Sequence, residues 1–182
     1  MQTVKIASAA AILFLFSITA SYGADVAKIG VIDFQRILEV SSAGKSALAE
    51  IKSQGEKMEA DLKKKESELE ELKKRLERKA LVMNREMREE KEREFRIKIN
   101  DLNSLEKKYR EKLKALNNRL VNRIKKDLFE LVEEIGKKEG YLLIIEKQEA
   151  GVVYAPTSID ITDKLIIQYN KKVARQAKKD KK

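Results

Sequence analysis

The sequence has 182 residues, of which 40 are Lys or Arg and 30 are Asp or Glu, giving a formal net charge of +10. It contains neither cysteine nor histidine, so its own side chains cannot form disulfides, thiolate nucleophiles, Cys/His zinc sites or a histidine-based triad. With 5% aromatic residues and no tryptophan a large compact core is not expected, and the heavy Lys/Glu/Leu usage points to long helices or coiled coil.

Lys5 makes a minimal positive start, Ile6 to Ile18 is apolar except at Ser8 and Ser17, and Ser21 and Gly23 stand at the −3 and −1 positions of a cut before Ala24. This is the pattern of a Sec-type secretory signal peptide over residues 1–23. Its apolar core falls short of the about 20 residues that a membrane span needs. The expectation is an exported protein cleaved near Gly23/Ala24, with an uncleaved anchor or a buried helix as the alternatives.

Lys28 to Asp33 (KIGVID) is short, apolar and β-branched, which predicts a strand. Asp33 is placed to cap a helix from Phe34 onward by accepting backbone N–H bonds. Ser41, Ser42 and Gly44 predict an interruption. From about Lys45 to Glu139 there is no proline, and the glycines are Gly55 and Gly136.

Within that stretch the apolar positions form a heptad-like seam. Outbound it reads Ile51, Met58, Leu62, Leu69, Leu72, Leu76 and Met83. Inbound it reads Ile99, Leu102, Tyr109, Leu113, Leu116, Leu120, Ile124, Leu128, Leu131 and Ile135. Lys65 and Lys79 also occupy seam positions, so the coiled coil is narrow and marginal. From Leu116 to Leu128 the spacing is a repeated four, which relaxes a left-handed supercoil. The seam fails between Met87 and Phe95. Asn84 fits a helix N-cap, with Glu86, Glu89 and Glu90 behind it to favour a helix start. Together these predict a helical hairpin arm over residues 45–136 with a reversal near 81–84. Two helices of about 40 residues would reach about 60 Å at 1.5 Å per residue. A single unbroken helix is the rival.

Gly140 suits a helix C-terminal stop. Beyond it Tyr141–Lys147 reads as a strand, Gln148–Gly151 as a turn and Val152–Ala155 as a second strand, ended by Pro156. Asp160 and Thr162 precede a short helix, about Asp163 to Val173. Residues 174–182 form a basic tail with little reason to be ordered. The predicted body, residues 24–44 and 137–173, is therefore discontinuous, with the arm between its halves. So small a body buries little apolar surface alone, and self-association is the natural remedy.

The charge is uneven. Lys107 to Lys126 holds nine basic residues against one acid, and the tail from Lys171 holds seven against one. Such stretches suit nucleic acid, anionic lipid head groups or acidic unfolded chains; for any single lysine the alternative is that it does no more than solvate a helix face. Tyr109 is the one aromatic residue within the basic run, so base stacking has little support and no specific nucleic acid is expected. Met83 and Met87 either pack the arm tip or offer adaptable apolar contact there. There is no phosphate loop, paired-histidine helix or nucleophile elbow. Catalytic, cofactor-binding and metal residues are all expected to be absent, and the protein is not expected to be an enzyme.

The opening KIGVIDFQRIL, followed by SSAGKSALAEI, resembles the N-terminal strand and helix of the Skp/OmpH family. The closing GYLLIIEKQEAGVVYAPTSIDITDKLI resembles its C-terminal strands and final helix, and NREMREEKEREF resembles its arm tip. These segments span essentially the mature chain, the two ends being the more specific. The resemblance implies an α+β, mostly helical fold: a small β body carrying a long antiparallel coiled-coil hairpin, assembled as a homotrimer whose arms enclose a cavity. It implies an ATP-independent periplasmic holdase chaperone, without cofactors, for unfolded outer-membrane β-barrel proteins. Anionic lipid or lipopolysaccharide is a further implied partner, with no residues assigned to it. Ile29, Val31, Tyr141, Leu143, Ile145 and Val153 become candidates for the body and trimer contacts. Met83, Met87, Phe95, Lys107, Lys108, Arg110, Lys114, Arg119 and Arg123 become candidates for client contact. An envelope coiled-coil scaffold without chaperone activity is the alternative.

Overall fold

The computed structural model describes residues 27–79 and 82–179. The expected signal peptide lies outside the described residues. In chain order the elements are β1 (Ile29–Ile32), α1 (Phe34–Val40), α2 (Ser42–Lys79), α3 (Arg85–Glu139), β2 (Leu143–Glu146), a 3-10 turn (Thr157–Ile159) and α4 (Thr162–Lys179).

Local chemistry accounts for most element ends. The Asp33 carboxylate accepts from the Arg36 N–H at 2.9 Å and so starts α1. Ser41 closes α1, its N–H donating to Ile37 O, and its buried hydroxyl accepts from the Gly44 N–H at 3.1 Å to open α2. Gly44 has no room for a side chain, since a Cβ there would sit 1.9 Å from Leu38 O. Asn84 accepts from the Met87 N–H at 2.9 Å and caps α3. Gly140 ends α3 in the left-handed conformation, at φ 69°.

Helices α2 and α3 form the arm. Glu50 meets Arg119, Gly55 lies beside Leu113, and Asp61 accepts from Tyr109, so numbering rises along one helix as it falls along the other. They are antiparallel, and the chain reverses between Lys79 and Arg85. The longer α3, 55 residues or about 80 Å, overruns the start of α2, and its last turns enter the body. There Ile124, Leu128, Leu131 and Ile135 pack with Ile32, Ile37, Ile161, Leu165, Ile166 and Tyr169. This base is the core of the chain.

β1 and β2 pair in parallel, Ile29 with Leu143 through Ile32 with Glu146. The parallel arrangement requires a crossover, and the entire arm is that crossover. Long-range bonds secure the junction. The buried Thr162 hydroxyl accepts from the Asp33 N–H at 2.9 Å, and Glu146 accepts from the Phe34 N–H at 3.1 Å. Ile161 N–H donates to Val31 O at 2.9 Å, and Ser42 ties to Asn170 of α4.

Three expectations need correction. Val152–Ala155 is not a strand. Val152 N–H donates back to Lys147 O and closes the turn, after which Val153 and Tyr154 stand 99% and 83% exposed. Among the described residues no second layer lies against them, and Pro156 has no N–H to extend a ladder. β2 also begins at Leu143 instead of Tyr141, whose ring lies over β1 beside Gly30 and under the Lys28 ammonium. Finally, the last helix does not stop at Val173, and residues 174–179 are helical, not a disordered tail. The Ala/Arg/Gln/Lys composition of that stretch, free of glycine and proline, carries the helix on.

Candidate functional site

The seam named from the sequence is the inner line of the arm, and its burial is graded. From Ile51 to Leu76 on α2, at Met83 in the turn, and from Ile99 to Leu120 on α3, every apolar seam residue is only partly buried. Full burial begins at Ile124, where α3 enters the body. A two-helix arm has one neighbour for each helix, so its apolar stripe stays half open to whatever lies beside it.

In the distal half the helices leave a cleft of about 840 Å³ between them. Leu69, Leu72 and Leu76 face Leu102 and Leu105 across it, and Met83 closes the tip end. Lys65, Arg75, Lys79, Lys91 and Lys98 rim it, together with Glu68, Glu94 and Asp101. Lys91 donates to Glu94 at 2.8 Å, which holds the Glu94 carboxyl below its usual range and raises the Lys91 ammonium. Lys65 and Lys79, both at seam positions, stand on the rim of the cleft where an apolar side chain would bury against the facing helix. Lysine at those two seam positions was the feature of the sequence that coincides with the cleft.

Below the cleft Tyr109 donates to Asp61 at 2.7 Å, linking the two helices across the seam. That bond, with burial and the carboxylate charge behind it, raises the Tyr109 hydroxyl above the ordinary tyrosine range. Asp61 thus fixes the register of the arm where apolar packing is thin.

The client-contact candidates fall in different places. Met83 is half-buried against the cleft, Met87 is half exposed on the first turn of α3, and Phe95 is half-buried on the seam side. Lys107, Lys108, Arg110, Lys114, Arg119 and Arg123 are all exposed. Helical rotation divides them, with Lys107, Arg110 and Lys114 on one flank of α3 and Lys108, Arg119 and Arg123 on the other. They frame the seam on both sides instead of forming one patch. Arg110 pairs with Glu106 at 3.0 Å and Arg119 reaches Glu50 at 3.7 Å.

The body candidates also divide. Val31 is buried in the chain's own core, and Tyr141 and Ile145 are partly buried. Ile29, Leu143 and Val153 are exposed at 38%, 51% and 99%. Leu142, Tyr154 and Ile167, not singled out from the sequence, are exposed as well. Among the described residues no group of acidic side chains could hold a metal ion. No helix among them is long and apolar enough to cross a membrane.

A family model described as outer membrane protein (OmpH-like) matches residues 28–169. Among solved structures, the crystal structure of an OmpH-like protein from Caulobacter crescentus, described as a candidate outer membrane chaperone, superposes with a TM-score of 0.75 at 16% identity. The alignment covers 85% of this chain and 90% of that one. At that identity the likeness is one of fold. No curated protein sequence matches the chain significantly.

Proposed function

The chain belongs to the OmpH-like family of outer membrane proteins, and from this we propose that it is a periplasmic chaperone that holds unfolded outer-membrane β-barrel proteins without ATP. The observation that carries the reading is the arm, whose apolar seam is nowhere fully buried along its free length and whose basic residues flank that seam on both sides. Such a surface offers weak, repeated apolar contact within a charged frame, which suits chains that share no single structure. Each contact is easily exchanged, so capture and release need no nucleotide.

In this reading three copies associate through their bodies and the arms enclose the client. The exposed apolar residues Leu142, Leu143, Val153, Tyr154 and Ile29 of the small body support self-association, since nothing among the described residues covers them. Residues 1–23 direct export and are removed. The protein is not an enzyme in this reading, and its Asp and Glu residues serve the surface of the helices.

The test is dilution of a urea-unfolded β-barrel membrane protein into buffer with and without the purified protein lacking residues 1–23, in the absence of nucleotide. Suppression of light scattering near one trimer per client is expected. An intact trimer that leaves aggregation unchanged would reject the holdase and favour an envelope scaffold.

A further inference from the structure

The last helix outruns the family match, which ends at residue 169 while α4 continues to Lys179. From Lys164 to Lys179 there is no acidic residue, and there are six basic ones. Two of them turn back to the body, Lys164 to Glu139 and Lys172 to Glu130, the latter at 3.1 Å. Lys171, Arg175, Lys178 and Lys179 are exposed, and none of the ion pairs among the described residues involves them.

Their spacing gives them a common direction. Lys171, Arg175 and Lys178 recur at i, i+4 and i+7 and lie on one face of α4. Leu165, Ile166 and Tyr169, buried in the core, occupy the opposite face. Ile167, 56% exposed, stands at the edge of the basic face. The exposed face of α2 mixes its signs, as in the Glu70–Lys74 pair, and within the basic stretch of α3 Arg110 pairs with Glu106 and Arg119 with Glu50. On α4 one sign continues for about two turns, and among the described residues no acidic side chain pairs with Lys171, Arg175, Lys178 or Lys179.

We propose that this outer face of α4 docks the protein onto an anionic lipid bilayer. The face is the convex side of a rod, and residues 170–179 include no aromatic side chain on which a base could stack. Its long flexible cations gather charge over an area, which suits the continuous head-group surface of a bilayer. The exposed Ile167 adds one apolar contact at the depth of the head groups. The site is separate from the arm, so docking leaves the seam open to clients. Export supplies only the setting, and the docking itself can be read on purified components.

The experiment is flotation of the purified protein with vesicles of phosphatidylcholine alone or with about one third phosphatidylglycerol, at several salt concentrations. Binding to the anionic vesicles that weakens with salt is expected, with none to the neutral ones. The K171Q/R175Q/K178Q/K179Q variant should bind roughly six hundredfold more weakly, taking about fivefold for each of its four basic residues. Its circular dichroism and its suppression of client aggregation should be unchanged. A chain ending at Val173 provides a second route to the same loss, while K107Q/R110Q/K114Q in the arm should bind like the parent. Full binding by the quadruple variant, equal loss in the arm variant, or tighter binding to a DNA duplex than to vesicles at the same salt would each overturn the proposal. If the parent protein fails to suppress aggregation yet the quadruple variant still loses its vesicles, the holdase reading falls and the docking face stands.

Discussion

Thr162 shows how much one buried hydroxyl decides here. It is fully buried and accepts from the Asp33 N–H at 2.9 Å, joining the start of α4 to the end of β1 across 129 positions of sequence. Replacing it with valine keeps the shape and leaves that N–H without a partner. A loss of about 1–3 kcal/mol in urea unfolding is expected. Tyr169, 1% exposed, donates to Asp127 at 3.3 Å. Burial, reinforced by the Asp127 carboxylate, pushes its hydroxyl well above the ordinary tyrosine range. A pKa raised on folding favours the folded state in full below the unfolded value near 10. That contribution is lost as pH climbs beyond 10 toward the folded value. Titrating stability from pH 8 to 11 should therefore show the wild type falling relative to Tyr169→Phe above pH 10. A constant difference would separate Tyr169 from the alkaline loss.

At the scale of elements the arm is stable by increments. Asn84→Ala removes the cap of a 55-residue helix and should cost about 1 kcal/mol locally. Faster amide hydrogen exchange is expected at Met87 and its neighbours, with the base of α3, from Ile124 onward, unchanged. Capping residues were legible in the sequence because a cap is a contact between near neighbours, and Asp33, Asn84 and Gly140 all end the elements they were expected to end. The seam was legible for the same reason, as a period repeated many times. The partner and direction of β1 were not, since its pairing with β2 depends on residues over a hundred positions away. Val152–Ala155 has the composition of a strand and no neighbour to pair with, a fact that composition cannot carry. The basic candidates were found by counting along the chain, whereas their division between two flanks of α3 appears only when each is rotated by its place on the helix.

For the molecule as a whole, the division between a fully packed base and a half-packed arm sets what can be changed without unfolding it. Leu143 and Tyr154, exposed at 51% and 83%, contribute little to the core of one chain. In the proposed trimer they are covered. Leu143→Asp with Tyr154→Asp should leave helix content intact and convert the assembly to monomers in analytical ultracentrifugation. Retention of the parent's mass would place the contact elsewhere on the body.

The parallel pairing of β1 with β2 has a consequence for the time course of folding. Phe34 and Glu146, which hydrogen-bond at the junction, are 112 positions apart, and a free chain of that length closes such a contact at an entropic cost. The arm can form first, starting at the reversal beside Asn84, where contacts are between near neighbours, and zipping toward the base. Each added turn shortens the open loop, until the two ends arrive side by side and the strands register. The rate of forming the body is then governed by its most distant point. Asn84→Ala should slow refolding of a β-sheet that it never touches, while leaving the unfolding rate nearly as it was.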